Sequence, residues 1–367
     1  MAKAAKKASA KKTTAKKASA KKAPAKKAAK KVTTAKHGRA TRESSIQKAA
    51  ILQADQILAR RQVSRKTRAA ALKIHVERVE AQMKSPGRAR AGMPVAERAP
   101  IAAAAALQSA GYLLAVGDSW FDYPIHDVLT KLEDNYAYNV ESSAHKGDPI
   151  EAMVSHVGQM DKFARLMDKI VALGVMPKAI LVSGGGDDIA GDAFGMLINN
   201  IDLPIAGWNE EVVAGVIDTR IATAYRKMFT LLNVLCQSDL KRTLPILVHG
   251  YDYPVPDGRG FLGGWGPLPG PWLKPGFDEK LFMDLTQTTS MIAKLIDRFN
   301  TMLQKLVKEP GFENVRYVDL RGTLSNGSDY KKYWANELHP TGGGIGGGND
   351  GFGAVAAKFQ EALLKYS

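Results

Sequence analysis

The last two thirds of the chain alternate short apolar runs with longer amphipathic segments. Several of the short runs are continuously apolar, as is typical of parallel strands buried on both faces. The predicted strands are Tyr112–Val116, Tyr136–Val140, Ala179–Val182, Pro245–Val248 and Val315–Val318. Helical spacing fills the intervals, at Val128–Glu133, Ile150–Ala172, Glu210–Leu235, Leu285–Val307 and Gly351–Lys365. This alternation predicts an α/β fold with a doubly wound, five-stranded parallel sheet.

The first hundred residues lack this alternation. In residues 1–42, Lys pairs recur every five residues between Ala, Ser and Thr, and a period of five builds no apolar face on a helix. We therefore expect a disordered tail. Residues 43–84 have partial helical spacing around a basic stretch, and Pro86 and Gly87 end that pattern. The predicted division of the chain is a tail at 1–42, a basic helical connector and linker at 43–100, and a globular domain at 101–367.

Charge is distributed unevenly along the chain. Residues 1–42 hold fourteen Lys, two Arg and no acidic residue, whereas residues 101–367 hold 24 basic and 31 acidic residues. An acidic globular domain repels phosphate, which excludes a uniformly basic nucleic-acid-binding fold. The tail resembles the Ala/Lys/Pro tails of linker histones and of bacterial histone-like and granule-associated proteins, which implies binding to DNA or another polyanion. A solubilising tail with no dedicated partner is the alternative.

The connector also fits two interpretations. Its basic stretch contains Arg60, Arg61, Arg65, Lys66 and Arg68. A helical spacer or self-association helix is one interpretation, and a second polyanion-contacting surface is the other.

Cysteine content and hydropathy indicate the compartment. Cys236 is the only cysteine, so no intramolecular disulfide is expected. No run reaches the roughly 18–20 apolar residues that span a bilayer, and no apolar stretch follows the basic N-terminus as it would in a secretory signal. We expect a soluble cytoplasmic protein without a transmembrane segment, associated with the nucleoid if the tail binds DNA.

Polar and glycine-rich segments follow the predicted strands, at the ends where an open parallel sheet binds ligands. Gly117–Trp120 follows the first strand, Ser143–Asp148 the second and Gly184–Asp188 the third. Trp334–Pro340, which contains His339, comes shortly after the fifth. Together these segments supply a hydroxyl, an imidazole and glycine backbone amides, which are the groups that acyl transfer requires.

These four segments, in this order, resemble the SGNH/GDSL serine hydrolases, a family of esterases and lipases with a flavodoxin-like sheet. The resemblance covers roughly residues 110–365. It implies that Ser119 is the nucleophile and His339 the general base. It also implies an oxyanion hole formed by the backbone N–H groups of Ser119 and Gly147 together with the side chain of Asp187.

Two positions depart from the family pattern. Asp187 stands where the family has an Asn, and a carboxyl group donates to an oxyanion only when it is protonated. Asn336 stands where the family has the Asp of the triad; its oxygen can accept from the imidazole, but it adds no charge. Glu337 is an alternative partner for His339. Purely structural roles remain open: a helix N-cap for Asp188, and a loop side chain bonded to its own backbone for Asn336.

Four residues are predicted to bind substrate: Asp118, Trp120, Trp265 and Trp272. The last two lie in His249–Asp284, an insertion rich in Gly, Pro and aromatic residues, for which a lid over the site and a self-packed surface loop are both open. We expect hydrolysis of a small-molecule or lipid ester through an acyl-enzyme, with no cofactor and no metal. The alternative is a nucleoid- or granule-associated polyanion-binding protein whose hydrolase-like domain is weakly active or inactive.

Overall fold

The computed structural model describes residues 44–63, 65–67, 69, 70, 73, 74, 77, 109–155, 158–263, 268–343 and 348–366 of the 367-residue chain. The predicted tail, the linker and Trp265 lie outside these residues, so the boundaries at 42 and 100 stay predictions. The chain divides into two compact units, one that ends at Ser45 and a second from Ile46 to Ser367. The elements described below belong to the second unit, apart from the first two residues of the first helix.

A parallel sheet forms the centre of this unit. The strands are β1 (Gly111–Val116), β2 (Tyr138–Ser142), β3 (Pro177–Val182), β4 (Ile198–Asn199), β5 (Gly207–Trp208), β6 (Ile246–His249) and β7 (Val315–Val318). Five of them pair in the order β2–β1–β3–β6–β7, all parallel, while β4 and β5 form a separate antiparallel pair. Counted alone, the five strands have the 2-1-3-4-5 order of flavodoxin-like sheets. The predicted fold class is confirmed.

Helices connect the strands and cover the sheet. They are α1 (44–63), α2 (Val128–Tyr136), α3 (Ile150–Met153), α4 (Gln159–Ala172), α5 (Glu210–Val213), α6 (Ala222–Leu240), α7 (Lys274–Glu279), α8 (Leu285–Leu306) and α9 (Gly351–Tyr366). A π-helical segment, Ala214–Ile221, joins α5 to α6, and short 3₁₀ turns lie at Phe194–Leu197, Phe261–Gly263 and Tyr330–Lys332. Among the described residues, none of the helices has the length and apolarity needed to cross a lipid bilayer.

Two element boundaries differ from the prediction for local reasons. The helix predicted over Ile150–Ala172 is two helices, because the chain turns sharply before α4. A Cβ on Gly158, the N-cap residue of α4, would lie 2.2 Å from the carbonyl oxygen of Ala152. Strand β2 begins two residues later than predicted, because α2 continues to Tyr136 and ends at Ala137, whose φ of 56° is left-handed.

The central strands are buried on both faces, which is why their sequences read as continuous apolar runs. Leu113–Val116 in β1, Ala179–Val182 in β3 and Ile246–Val248 in β6 are all fully buried. Each fully buried Leu, Ile or Val side chain contributes about 1.5–3 kcal/mol relative to exposure. The sheet is therefore a rigid platform, and its carboxyl edge is the place where the predicted site residues follow their strands.

Helix α1 packs against the sheet domain. Its residues Ala50, Ala54 and Ile57 are fully buried, and the Gln53 side chain donates at 3.0 Å to the carbonyl oxygen of Val154. The connector helix is thus part of the same compact unit as the sheet, at least from Ile46 onward.

Three arginines in and just after α1 pair with acidic residues of the sheet domain. Arg60 pairs with Asp161 at 2.9 Å on the surface. Arg61 pairs with Asp239 at 2.7 Å, and the two side chains are only 6% and 2% exposed. Arg61 and Arg65 also pair with Asp168. These contacts disfavour the interpretation of the basic stretch as a second polyanion-contacting surface, since three of its cations are engaged within the chain.

We predict that Arg61→Ala lowers the free energy of unfolding by about 3 kcal/mol, because it removes the main partner of a buried carboxylate. Arg60→Ala is the matched control, since Arg60 is 51% exposed and an exposed pair contributes about 0–1 kcal/mol. Urea unfolding followed by circular dichroism measures both. Equal losses in the two variants would contradict the assignment of Arg61 as the residue that fastens α1 to the domain.

Candidate active site

Ser119 lies in the turn that follows β1, and Asp118 holds this turn in place. The Asp118 side chain is buried, and its Oδ1 accepts from the backbone N–H of Trp120 at 3.0 Å and from the hydroxyl of Ser183 at 2.6 Å. Its Oδ2 accepts from the hydroxyl of Tyr251. Because Ser183 follows β3 and Tyr251 follows β6, Asp118 ties three strand ends together around the nucleophile candidate.

His339 reaches Ser119 from the segment after β7. Its Nε2 is 2.7 Å from Ser119 Oγ, and its Nδ1 is 3.0 Å from Asn336 Oδ1. The same Asn336 oxygen accepts from the backbone N–H groups of Leu338 and His339, at 3.0 and 2.9 Å. Backbone N–H groups only donate, so the atom that faces Nδ1 is the amide oxygen. Nδ1 therefore carries the proton, and Nε2 is free to accept from the Ser119 hydroxyl.

Aromatic rings enclose the imidazole. The Tyr123 ring stacks on His339 with centroids 4.3 Å apart, and the Trp272 ring contacts it edge-on at 5.5 Å. The Tyr123 hydroxyl accepts from the Asn336 amide at 3.0 Å, and burial raises the pKa of Tyr123 to about 12. Burial also lowers the pKa of His339 to about 3, because desolvation disfavours the imidazolium. The resting imidazole is neutral.

Ser119 opens into a cavity of about 50 Å³ that is partly open to solvent, well below the roughly 300–1,000 Å³ of most small-molecule sites. Asp118, Trp120 and Asp187 also line it. Most of the remaining wall is apolar and includes Ile189, Phe194, Leu273, Ile292, Leu295 and Leu338.

Asp187 is a half-buried acid in this wall. Its Oδ2 is inaccessible to solvent and has no hydrogen-bond partner among the described residues. Burial and the charges of Asp118, Asp188 and Asp148 raise the pKa of Asp187 to about 8. The raised pKa favours the protonated form of Asp187. In the described part of the chain, no group of three or more His, Cys, Asp or Glu residues is arranged to hold a metal ion.

Asp188 has a structural place beside it. Its Oδ2 accepts from the backbone N–H of Ile150, the first residue of α3, at 2.8 Å. Arg220 lies 3.7 Å from its other oxygen. Asp188 thus accepts from the first N–H of a helix, as a capping residue does, but that helix is α3, which precedes Asp188 in the chain.

Gly147, the glycine predicted for the oxyanion hole, does not line the cavity beside Ser119. It is exposed and has a φ of +80°. Among the described residues, neither its backbone N–H nor that of Ser119 donates to a protein acceptor. Both groups are therefore unoccupied donors near the nucleophile turn, and their role stays a prediction.

Two of the predicted substrate-binding tryptophans are placed by the structure. Trp120 lines the cavity but is only 3% exposed, and its indole N–H donates to the carbonyl oxygen of Leu338 at 3.0 Å. Trp272 contacts His339 rather than the cavity. Asp118 lines the cavity with both carboxylate oxygens engaged by protein donors, so it positions the nucleophile turn.

Glu337 does not bond to His339, so its interpretation as an alternative triad partner is wrong. The carboxylate is buried and faces the insertion His249–Asp284 instead. It accepts from the backbone N–H groups of Gly258, Trp272, Leu273 and Lys274 at 2.9, 2.7, 2.7 and 3.1 Å. Glu337 thus anchors the insertion beside the histidine segment, and the insertion supplies Tyr251 and Leu273 to the cavity wall.

Sequence reasoning missed Tyr123, Ser183 and Tyr251. Ser183 and Tyr251 come directly behind β3 and β6, so the rule that ligand-binding residues follow parallel strands could have selected them. Tyr123 lies four residues after Ser119 in an irregular loop, where no spacing marks a side chain that turns toward His339.

Comparisons with known proteins found similar solved structures but no related sequence. No family model matches the chain, and no curated protein matches it. Axe2, an acetylxylan esterase from Geobacillus stearothermophilus, is 14% identical over 70% of this chain and 94% of its own, with a TM-score of 0.36.

Two further solved structures cover similar shares. LAE5, an alpha/beta hydrolase enzyme from the metagenome of Lake Arreo, is 11% identical over 71% of this chain and 97% of its own, with a TM-score of 0.36. A possible lipase from Chitinophaga pinensis is 13% identical over 70% of this chain and all of its own, with a TM-score of 0.37. The chemistry assigned to this chain therefore rests on its own geometry.

We predict that Asn336→Asp raises the pKa of His339 toward the ordinary histidine value of 6.5, because a carboxylate beside Nδ1 favours the imidazolium. The chemical shift of the His339 ring, followed by NMR between pH 4 and 8, measures this. In the native chain and in the Tyr123→Phe control the ring should stay neutral across that range. A variant ring that does not titrate would show that Asn336 does not set the electrostatics of His339.

Proposed function

We propose that this protein is a serine hydrolase of the SGNH/GDSL type that cleaves carboxylic esters through an acyl-enzyme on Ser119. One observation carries the proposal: Ser119, His339 and Asn336 form a continuous hydrogen-bonded row whose donors and acceptors fix the tautomer needed for general base catalysis. The order of the segments that follow the strands, and the apolar cavity beside Ser119, support it.

The row performs acyl transfer in two halves. Ser119 Oγ attacks the ester carbonyl carbon, its proton moves to His339 Nε2, and the carbonyl π electrons move to the oxygen. The imidazolium then protonates the leaving alkoxide as the carbon–oxygen bond breaks, which leaves the acyl group on Ser119. Water attacks this ester in the same way, and the carboxylic acid departs. The backbone N–H groups of Ser119 and Gly147 are the proposed donors to the oxyanion.

Asn336 does part of the work of a triad aspartate. In serine proteases an Asp-to-Asn exchange lowers turnover on the order of 10⁴-fold, partly because the amide selects the wrong tautomer. Here the amide is turned with its oxygen toward Nδ1, so that part of the loss is avoided. The missing charge remains, and His339 gains its proton only as the oxyanion forms nearby and favours the imidazolium.

The wall of the cavity indicates the class of ester. Ile292 and Leu295 of α8 face the same space as Ser119, together with Ile189 and Phe194. An acyl or alcohol group that enters this space exchanges water for apolar contacts, which favours uncharged, apolar groups. A small-molecule or lipid ester with such a group is the substrate class that we propose.

We predict that Ser119→Ala abolishes labelling by a fluorophosphonate probe and hydrolysis of p-nitrophenyl acetate and butyrate. The hydrolysis rate of His339→Ala should lie within about tenfold of the Ser119→Ala background. Each variant removes one member of the row. Ser325→Ala is the control, since that residue does not line the cavity and the variant should keep full labelling. A folded native protein that is not labelled would favour the alternative, a polyanion-binding protein whose hydrolase-like domain is inactive.

Residues 1–42 are proposed to tether the enzyme to DNA or another polyanion. They hold sixteen cations and no acid, whereas Arg60, Arg61 and Arg65 of the connector are paired within the chain. The excess positive charge of the protein is therefore concentrated in this segment. Phosphate neutralisation by such a segment releases counterions and gives binding that is independent of sequence and steeply dependent on salt.

We predict that deleting residues 1–42 leaves ester hydrolysis unchanged and abolishes salt-sensitive binding to duplex DNA. Fluorescence anisotropy at several NaCl concentrations gives the slope of log K against log salt, which should be about −0.9 for each phosphate contact. A full-length variant with the fourteen tail Lys changed to Gln keeps the length and should also lose binding. Equal loss of hydrolysis and binding would contradict separate roles for the two parts.

A further inference from the structure

We propose that the cavity beside Ser119 receives the acyl group of the ester and that its packed wall restricts the enzyme to short acyl groups, up to about the length of a butyryl group. The inference rests on the proposed function and deepens it, because it needs an ester bound at Ser119. The apolar wall alone leaves two questions open: which half of the ester enters the cavity, and how long that half can be.

The positions of Ser119 and His339 decide which half of the ester enters. Ser119 lines the cavity, whereas His339, whose Nε2 is 2.7 Å from Ser119 Oγ, does not. The leaving alkoxide takes its proton from Nε2, so the alcohol oxygen must lie where the imidazole can reach it. The acyl chain leaves the carbonyl carbon in another direction. The cavity, which has no imidazole in its wall, is the space that receives this chain.

The volume of the cavity sets the length of the chain. The cavity measures about 50 Å³, and each water-sized group needs about 10–15 Å³, so about three or four such groups fit. When the carbonyl carbon is bonded to Ser119 Oγ, the rest of an acetyl or butyryl group fits into this space. The chain of an octanoyl group is too long for it.

The wall of the cavity is held in place by its own packing. Ile292 and Leu295, neighbours on one face of α8, line the cavity and are only 2% and 3% exposed. Phe194 lines it from a 3₁₀ turn and packs edge-on against the Trp208 ring, with centroids 6.0 Å apart. The Trp208 indole N–H donates to the carbonyl oxygen of Met291 on α8 at 3.2 Å, which joins the two parts of the wall. A close-packed wall of this kind does not widen without losing contacts.

The experiment compares kcat/KM for the p-nitrophenyl esters of acetate, butyrate, hexanoate and octanoate. The full-length protein is used, each ester is kept below its solubility limit, and the rate of Ser119→Ala is subtracted. Because the alcohol is the same in every ester, the profile reports the acyl chain alone. We expect kcat/KM for octanoate to lie at least about tenfold below that for butyrate, since a methylene that a pocket cannot hold costs about 10–200-fold.

Two variants should move the limit in opposite directions. Leu295→Ala removes about three carbon atoms from the wall and should raise the hexanoate-to-butyrate ratio at least about tenfold. Ala190→Leu adds about as many at a half-buried position that lines the cavity, and it should lower the butyrate-to-acetate ratio by a similar factor. Ala190→Leu leaves no void in the core, so it tests the inference even if Leu295→Ala does not fold.

Leu303→Ala is the matched control. Leu303 lies on the same helix, α8, and is fully buried, but it does not line the cavity. The same truncation at this position should leave both ratios as they are in the native protein.

Three results would overturn the inference. They are a native kcat/KM for octanoate that equals that for butyrate, ratios that change in neither cavity variant, and a control variant whose ratios change as much as those of Leu295→Ala. Hydrolysis of every ester at the rate of Ser119→Ala would instead overturn the proposed function itself, so the two failures are distinguishable.

Discussion

Three N–H groups converge on the side-chain oxygen of Asn336, and the chemistry of the site depends on this arrangement. Two come from the backbone and orient the amide; the third is the Nδ1–H of His339, which is thereby fixed in one tautomer. A neutral amide can be buried beside the Tyr123 ring at a much smaller desolvation cost than a carboxylate. The same burial keeps His339 neutral, so the row is held by hydrogen bonds and shape instead of by charge.

The buried negative charge of the site is placed elsewhere. Asp118 sits beneath the nucleophile turn with donors from Trp120, Ser183 and Tyr251, which makes it a positioning residue that joins three strand ends. Asp187 shares this region but lacks donors on Oδ2. The two carboxyl groups thus lie in unequal environments, one held by three protein donors and the other with a raised pKa.

The sequence was sufficient to predict the sheet and the position of Ser119 and His339 at one edge of it, where they form the ends of a hydrogen-bonded row. Central strands such as β3 are continuous apolar runs, and Ser119 and His339 follow strands that must end at one edge. The sequence could not predict the directions of side chains in loops. Asn336 and Glu337 are adjacent, yet Asn336 faces the imidazole and Glu337 faces the insertion. The connector was open for a similar reason, since the acids that neutralise Arg61 lie more than a hundred positions away.

The two departures from the SGNH/GDSL pattern, Asn336 and Asp187, are best understood together. Asn336 carries no charge, and the raised pKa of Asp187 favours its neutral form, so neither departure adds a negative charge to the site before the ester arrives. In the proposed mechanism the imidazolium and the oxyanion form together beside a largely apolar cavity, where their mutual attraction is stronger than it would be in water. Each is the main counter-charge of the other. If Asp187 lines the oxyanion hole as the sequence predicts, a carboxylate there would repel the oxyanion. The presence of an uncharged Asn at position 336 would then make the raised pKa of Asp187 more important.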